Sequence, residues 1–163
     1  MKNKPSAWQE LILRIYMLPI FTSMWPVVQY RVDALIFKLT KGKYSGTEAL
    51  SGRPVIQLTT SGAKTGQART MPLVSMFDGG KIALIASNLG QKNNPSWYYN
   101  LKANPECEVQ FHGSSSKYIA YEAAGEEYEK YWKLAVSYYK GYELYKVRAA
   151  HRQIPVMILV PAK

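Results

Sequence analysis

This chain of 163 residues predicts a mainly β domain, an antiparallel barrel with helices over its open flank. Three observations carry the expectation. About six apolar segments of strand length recur along the chain. Three of them follow one another across short connections, and helical patterns are confined to the start, the middle and the late part. Consecutive strands joined by tight turns pair antiparallel, whereas βαβ repetition needs a long crossover between strands. A hydrophobic fraction of 47% and a charged fraction of 20% suit one globular body with a full core. The expected organisation is an N-terminal helical arm over residues 1–45 and a barrel domain over residues 46–163.

Trp8, Leu11, Ile12 and Ile15 share one helical face, which Pro19 and Pro26 then punctuate. A second helix is expected to carry Val28, Val32, Leu35, Ile36 and Leu39 on one stripe and to stop at Lys41-Gly42-Lys43. Residues 41–53, rich in glycine and serine, read as a linker. The segment from Leu11 to Val28 is largely apolar, but Arg14, Pro19 and Pro26 interrupt it, which argues against a spanning helix. No small-residue cleavage site comes after it, which argues against a secretory signal. Trp8 and Trp25, with Lys2, Lys4 and Arg14 nearby, allow the arm to touch a membrane surface or cover a substrate; the plainer reading is packing on the main body.

Three strands are expected at Pro54 to Thr60, Arg69 to Phe77 and Lys81 to Ser87, the last two joined by a turn at Asp78-Gly79-Gly80 whose glycines supply positive φ. A short helix starts at Asn94-Pro95-Ser96, with the proline near its first turn, and ends at Asn104-Pro105. Glu106 to Phe111 and Lys117 to Ala123 form a hairpin around Gly113-Ser114-Ser115. A helix over Gly125 to Tyr139 breaks at Gly141, a shorter one covers Tyr142 to Ala150, and Ile154 to Val160 is the final strand. There is no internal repeat.

The formal charge of +10 admits nucleic acid, an anionic membrane or a polyanionic small molecule as partner. The basic residues are dispersed rather than gathered in a tract, which argues against nucleic acid. Cys107 is the sole cysteine, so no intrachain disulfide forms, and it reads as a packing residue. With two histidines besides, a His/Cys metal site is not expected. The chain suits a reducing, cytoplasmic setting.

The loop Ser61-Gly62-Ala63-Lys64-Thr65-Gly66-Gln67 is too short and wrongly spaced for a P-loop, and it leads into a strand. It can offer an anion several backbone N–H groups together with the point charge of Lys64 and the fork of Arg69; otherwise it is a solvated turn. Ala86-Ser87-Asn88 ends a strand in small residues, where a planar ring can approach the backbone and Ser87 can bond its polar edge; Lys92 lies in reach of a second anionic group. Ser87 is equally readable as an ordinary strand-end hydroxyl. Trp97 and Leu101 share the core-facing side of their helix, while Tyr98 and Asn100 point elsewhere. Tyr138, Tyr139, Tyr142 and Tyr145 bracket a helix break. A phenol there suits a proton-donor role or aromatic packing.

The runs LTTSGAKTGQARTMPLV, DGGKIALIASNLGQKNNPSWYYNLKANP, YYKGYELY and IPVMILV together resemble the deazaflavin-dependent nitroreductase family of F420H2-dependent oxidoreductases, in order over roughly residues 35–161. The resemblance implies a split β-barrel like that of FMN-binding and pyridoxamine-oxidase-like proteins. It also implies coenzyme F420 as cofactor, and hydride transfer from its reduced form to quinones, activated alkenes or nitro compounds. It implies a set for the acidic tail of Lys64, Thr65 and Arg69; Ala63 stands beside them where the family commonly has an arginine, and Lys92 is expected to add a further cation for the tail. Thr70, Met71, Pro72, Leu73 and Val74 would lie against the cofactor, as would Ile85, Ala86, Ser87 and Asn88, and then Ser96, Trp97, Tyr98, Tyr99 and Asn100. Ser87, Tyr139, Tyr142 and Tyr145 would carry the catalytic roles, Ser87 orienting ring or acceptor and the tyrosines binding substrate oxygen or relaying a proton, with Tyr142 touching the cofactor as well. Val74 occupies the position of a pocket tyrosine found in some nitro-activating members. The expected partner is a small-molecule electron acceptor, in the cytoplasm or peripheral at the inner face of the membrane. The alternatives are an FMN- or haem-binding barrel and a basic membrane- or nucleic-acid-binding module.

Overall fold

A computed structural model describes residues 31–162. The expected first helix, with Trp8, Leu11, Ile12 and Ile15, lies outside the described residues, as do Trp25 and the Val28 of the second helix. Residues 31–39 are helical (α1), and α2 (Gly46–Ser51) comes next. The strands are β1 (Val55–Ser61), β2 (Ala68–Val74), β3 (Met76–Asp78), β4 (Lys81–Ile85), β5 (Glu106–Phe111), β6 (Ser114–Glu122) and β7 (Val156–Pro161). A 3₁₀ turn at Asn88–Gly90 and helix α3 (Ser96–Ala103) separate β4 from β5, and α4 (Gly125–Tyr138) and α5 (Gly141–Arg148) precede β7.

All pairings are antiparallel, in the order β2-β1-β5-β6-β7-β4-β3. The two strands at the ends of that order, β2 and β3, are separated in the chain by Ser75 alone. One residue spans only about 3.5 Å, so the sheet must curl until its ends meet. This is the barrel that the sequence predicts, with one correction. The expected strand from Arg69 to Phe77 is two strands, and the expected three-strand meander is split between opposite ends of the sheet. Ser75 is fully buried at the corner, and its N–H donates to the Pro54 carbonyl at 2.9 Å. Pro72 is tolerated because β2 is a terminal strand in the order and a missing N–H there breaks no second ladder.

The strands β4 and β7 read as unbroken apolar runs because both their faces are buried. Ile82 and Leu84, with Met157 and Leu159, join Ile56, Leu58, Trp97, Leu101 and Val109 in the barrel interior. The alternate residues Ala83, Ile85, Val156 and Ile158 pack against Tyr128, Tyr131, Trp132 and Ala135 of α4 and Tyr145 of α5. The period of two thus sorts one run of residues into two cores.

The turn at Asp78-Gly79-Gly80 is as expected: Asp78 faces Lys81, and both glycines have positive φ (56° and 83°). The hairpin expected around Gly113-Ser114-Ser115 turns instead on His112 and Gly113 (φ 48° and 85°), and β6 begins at Ser114. The break near Gly141 falls at Tyr139 and Lys140, with Gly141 opening α5.

Two readings near the arm are corrected. Residues 41–53 are not a plain linker, because α2 forms inside them. Ser45 caps it by accepting from the Glu48 N–H at 3.2 Å, and Gly52 ends it in the left-handed region. The stripe of Val32, Leu35 and Leu39 faces outward, at 48%, 57% and 74% exposure, while Asp33 and Phe37 face in. The reason is polar: Asp33 accepts from Ser45 Oγ (3.0 Å), from the Thr47 N–H (2.9 Å) and from Thr47 Oγ1, and this buried anchor sets the rotation of α1.

Candidate functional site

The loop between β1 and β2 is closed on itself. The Gly62 N–H donates to the Gln67 carbonyl (2.8 Å), and the Gly66 and Thr65 N–H groups donate to the Gly62 carbonyl (2.7 and 3.2 Å). The Gln67 N–H donates to Thr65 Oγ1 at 3.3 Å. The Ala63 N–H donates to Asn100 Oδ1 (3.0 Å), and Asn100 Nδ2 donates to Thr60 Oγ1 (3.0 Å). The expectation that several backbone N–H groups turn toward an anion is therefore corrected, since loop closure and Asn100 already engage them. What this corner presents is side chains: Lys64, Thr65, Gln67 and Arg69 are all exposed, with Arg69 Nη2 donating to Gln67 Oε1 at 3.2 Å.

Asn100, expected to point elsewhere than Trp97 and Leu101, turns inward as well. It is buried, because its amide is the bracket between α3, the end of β1 and the loop. Trp97 and Leu101 are core residues as predicted, at 3% and 2% exposure. Tyr98 is half-buried at the edge of the barrel-interior core, with its hydroxyl donating to Glu122 at 3.1 Å; burial first, then that carboxylate, push its phenol up to about 12. Ser96 and Tyr99 are exposed.

At the end of β4, Ile85 faces the helices and Ala86 the barrel interior, and Ser87 is buried. The next three residues all have positive φ: Asn88 47°, Leu89 57° and Gly90 78°. Two consecutive non-glycine residues in that region are uncommon and need support. Arg152 supplies it, with Nη2 donating to the Ser87 carbonyl (2.9 Å), Nη1 to Asn94 Oδ1 (2.6 Å) and Nε to the Gln91 carbonyl (3.2 Å). Lys92 remains exposed beside this staple, its carbonyl oxygen 2.9 Å from His151 Nε2.

Three of the four late tyrosines form one cluster. The ring centres of Tyr139, Tyr142 and Tyr145 lie 5.7, 6.0 and 6.0 Å apart, all edge to face. Tyr139 lies across Gly141 so closely that a Cβ there would sit 2.2 Å from its Cζ. Burial pushes the Tyr142 phenol up to about 12 against the pull of Arg53, and burial raises Tyr145 as well. Both phenols therefore keep their protons at neutral pH.

Sequence reasoning missed Arg53. Its guanidinium carbon stands 4.5 Å from the centre of the Tyr139 ring, and its Nε donates to the Tyr138 carbonyl at 3.1 Å. Its Nη2 is buried and has no hydrogen-bond partner among the protein's own atoms. Burial lowers its pKa, while the three phenols act in the opposite sense. No local pattern marks Arg53 or Arg152 as special, since each precedes a strand and meets its partners far along the chain.

The site has two ends. Val55 faces Val74 at one end of the β1–β2 ladder and Ser61 faces Ala68 at the other. At ~3.3 Å per residue the ladder is about 20 Å long, so the exposed cations lie at one end and the Arg53–tyrosine group at the other. Met71, Pro72, Leu73 and Val74, partly buried, line the terminal strand between them, beyond exposed Thr70. The exposed cations suit an acidic group, and the half-buried apolar stretch suits a flat apolar one. Among the described residues no cluster of metal-ligating side chains occurs, and no helix is long and apolar enough to cross a membrane.

The family described as F420H(2)-dependent quinone reductase matches residues 29–161. An F420H(2)-dependent quinone reductase of Mycobacterium tuberculosis is 31% identical over 148 residues, covering 84% of this chain and 96% of that protein. Among solved structures, an F420-H2-dependent reductase (FDR-A) is 44% identical with a TM-score of 0.60, covering 66% of this chain and 94% of the other. A chain described as a domain-swapped dimer is 39% identical with a TM-score of 0.62, covering 77% and 93%.

Proposed function

The chain belongs to the F420H(2)-dependent quinone reductase family, and from that premise we propose that it reduces an electron-poor acceptor, a quinone first and activated alkenes or nitro compounds second. Reduced coenzyme F420 supplies the hydride; the protein supplies binding, orientation and electrostatics. Lys64 and Arg69, exposed at one end of β2, suit the acidic tail of that cofactor, and Lys92 adds charge beside the Ser87 loop. The half-buried stretch Met71 to Val74 suits its flat part. Ser87 stands at the end of β4 to orient the ring or the acceptor. Tyr142 and Tyr145, held neutral by burial, can donate hydrogen bonds to an acceptor oxygen and pass it a proton.

The observation that carries this reading is the union of the Ser87 turn with the tyrosine helix. Gly90 packs on the backbone of Tyr145, so the two groups that would flank a reacting pair are held as one unit. Anaerobic oxidation of F420H2, monitored by its absorbance with a short-chain quinone, an enone and a nitroarene, tests the proposal. Quinone turnover well above the other two is the expected result. A titration in which FMN binds tightly and F420 does not would overturn it in favour of a flavin-binding barrel. The outward stripe of Val32, Leu35 and Leu39, flanked by Arg31, Lys38 and Lys41, is the feature on which contact with an anionic lipid surface would rest, and vesicle co-sedimentation tests it.

A further inference from the structure

Two of the contacts of Arg53 serve the fold and one of its atoms is left over. Nε closes the end of α4 at the Tyr138 carbonyl, and the face of the guanidinium rests on Tyr139. Nη2 is buried and unpartnered. Buried donors in folded proteins are almost always satisfied, so the partner of this one comes from outside the chain, as a water that a substrate oxygen can replace or as that oxygen itself. A guanidinium is planar, permanently charged and presents its N–H donors in a fork shaped for oxygen. No carboxylate pairs with Arg53 among the described residues, and burial raises the pKa of its neighbours Tyr142 and Tyr145, so its charge is free to act on whatever oxygen approaches.

That oxygen does not belong to an acidic tail. Lys64 and Arg69, the cations proposed for such a tail, lie at the far end of the β1–β2 ladder, about 20 Å away by strand geometry. Arg53 sits at the corner where the barrel closes: the next residue, Pro54, accepts from Ser75, and Val55 faces Val74. We propose that Arg53 is a catalytic residue whose Nη2 binds the acceptor's carbonyl oxygen beside Tyr139, Tyr142 and Tyr145 and stabilises the negative charge that reduction places there; this rests on the proposed reduction of a carbonyl acceptor. The acceptor gains a hydride from the reduced cofactor: a C–H bond breaks on the donor, an O–H bond forms at one quinone oxygen, and the opposite oxygen is left anionic. One proton, delivered from solvent by way of a phenol, completes the hydroquinone. Arg53 holds the anionic oxygen between those two events, as a donor preorganised for developing charge.

The test uses the full chain and the variants Arg53→Gln, Arg53→Lys and Arg53→Ala, with three readouts: F420 affinity by fluorescence, kcat and KM for a quinone, and equilibrium binding of 4-nitrophenolate as a chromophoric oxyanion probe. Arg53→Gln is expected to lower kcat/KM about 100-fold, mostly in kcat. Its F420 affinity should stay within about threefold of wild type. Arg53→Lys should recover part of the loss, and added guanidinium should rescue Arg53→Ala. Wild type should prefer the phenolate to the neutral phenol, and Arg53→Gln should lose that preference. Three results would overturn the proposal: an F420 affinity that falls in step with kcat/KM, which makes Arg53 a cofactor contact; a lowered melting point with no selective loss in kcat and no rescue, which makes it structural only; or a wild type with no phenolate preference. Wild type that turns over no quinone yet binds the probe through Arg53 would sink the acceptor reading and leave the oxyanion site standing.

Discussion

Gly90 and Tyr145 meet backbone to backbone. A methyl group on Gly90 would lie 2.9 Å from the Tyr145 carbonyl oxygen and 2.6 Å from Arg148 Cβ, and Gly90 has a φ of +78°. The turn after Ser87 and the helix that carries the pocket tyrosines are thus fixed to each other by the absence of a side chain.

Gly90→Ala is expected to be severe. Overpacking costs about 1–3 kcal/mol, and the left-handed backbone adds roughly 1–2 kcal/mol for a residue with a Cβ. Urea unfolding measures the sum. A variant as stable as wild type would show that the turn and helix separate readily.

Asn100→Ala removes the bracket between α3 and the loop after β1, leaving the Ala63 N–H and Thr60 Oγ1 without their present partner. A loss of about 1–3 kcal/mol in unfolding free energy is expected, with weaker F420 binding because Lys64 is no longer held in place. An unchanged cofactor affinity would mean that the loop keeps its shape unaided.

Lys64→Glu reverses an exposed charge at the tail corner. F420 affinity should fall about tenfold, equivalent to about 1.4 kcal/mol. Affinity of the wild type should decline as salt rises, and the variant should show a shallower dependence. Equal salt slopes for the two proteins would place the tail elsewhere.

Stability depends on pH through Tyr142. Its pKa rises from 10.0 to about 12 in the folded chain, chiefly through burial. The folded state therefore holds this proton more tightly than the unfolded state. The resulting stability is whole below pH 10 and is lost as pH climbs to about 12. Denaturation midpoints stepped through that range should fall in wild type and fall less in Tyr142→Phe.

Burial pushes the Cys107 thiol up to about 12. Native protein should react with maleimide far more slowly than urea-unfolded protein, and Cys107→Ala should retain quinone turnover. Rapid labelling of the native chain would show that β5 opens.

How legible the molecule was depends on the range of the interaction. The turn at Gly79 and Gly80, the start of α3 at Pro95 and the core role of Trp97 and Leu101 each rest on residues within a few positions, and each was readable from its own neighbourhood. The stripe on α1 was misread because Asp33, a polar residue, turned out to be the anchor, and its partners Ser45 and Thr47 lie across a loop. The loop after β1 was read correctly as a cationic corner and incorrectly as a cradle of N–H groups, since the competitor for the Ala63 N–H, Asn100, is 37 positions away.

Local pattern alone determined a strand-rich chain with apolar periodicity, a basic hairpin corner and a tyrosine-bearing helix break, because turns, caps and alternation act between near neighbours. Only the tertiary structure decided that the sheet closes at Ser75, that Arg152 supports the turn after Ser87, and that Arg53 lies among the tyrosines with a buried donor unspent. Those outcomes depend on which distant segments share a low-dielectric interior, where an unpaired charge or donor is costly, and no sequence window contains both partners.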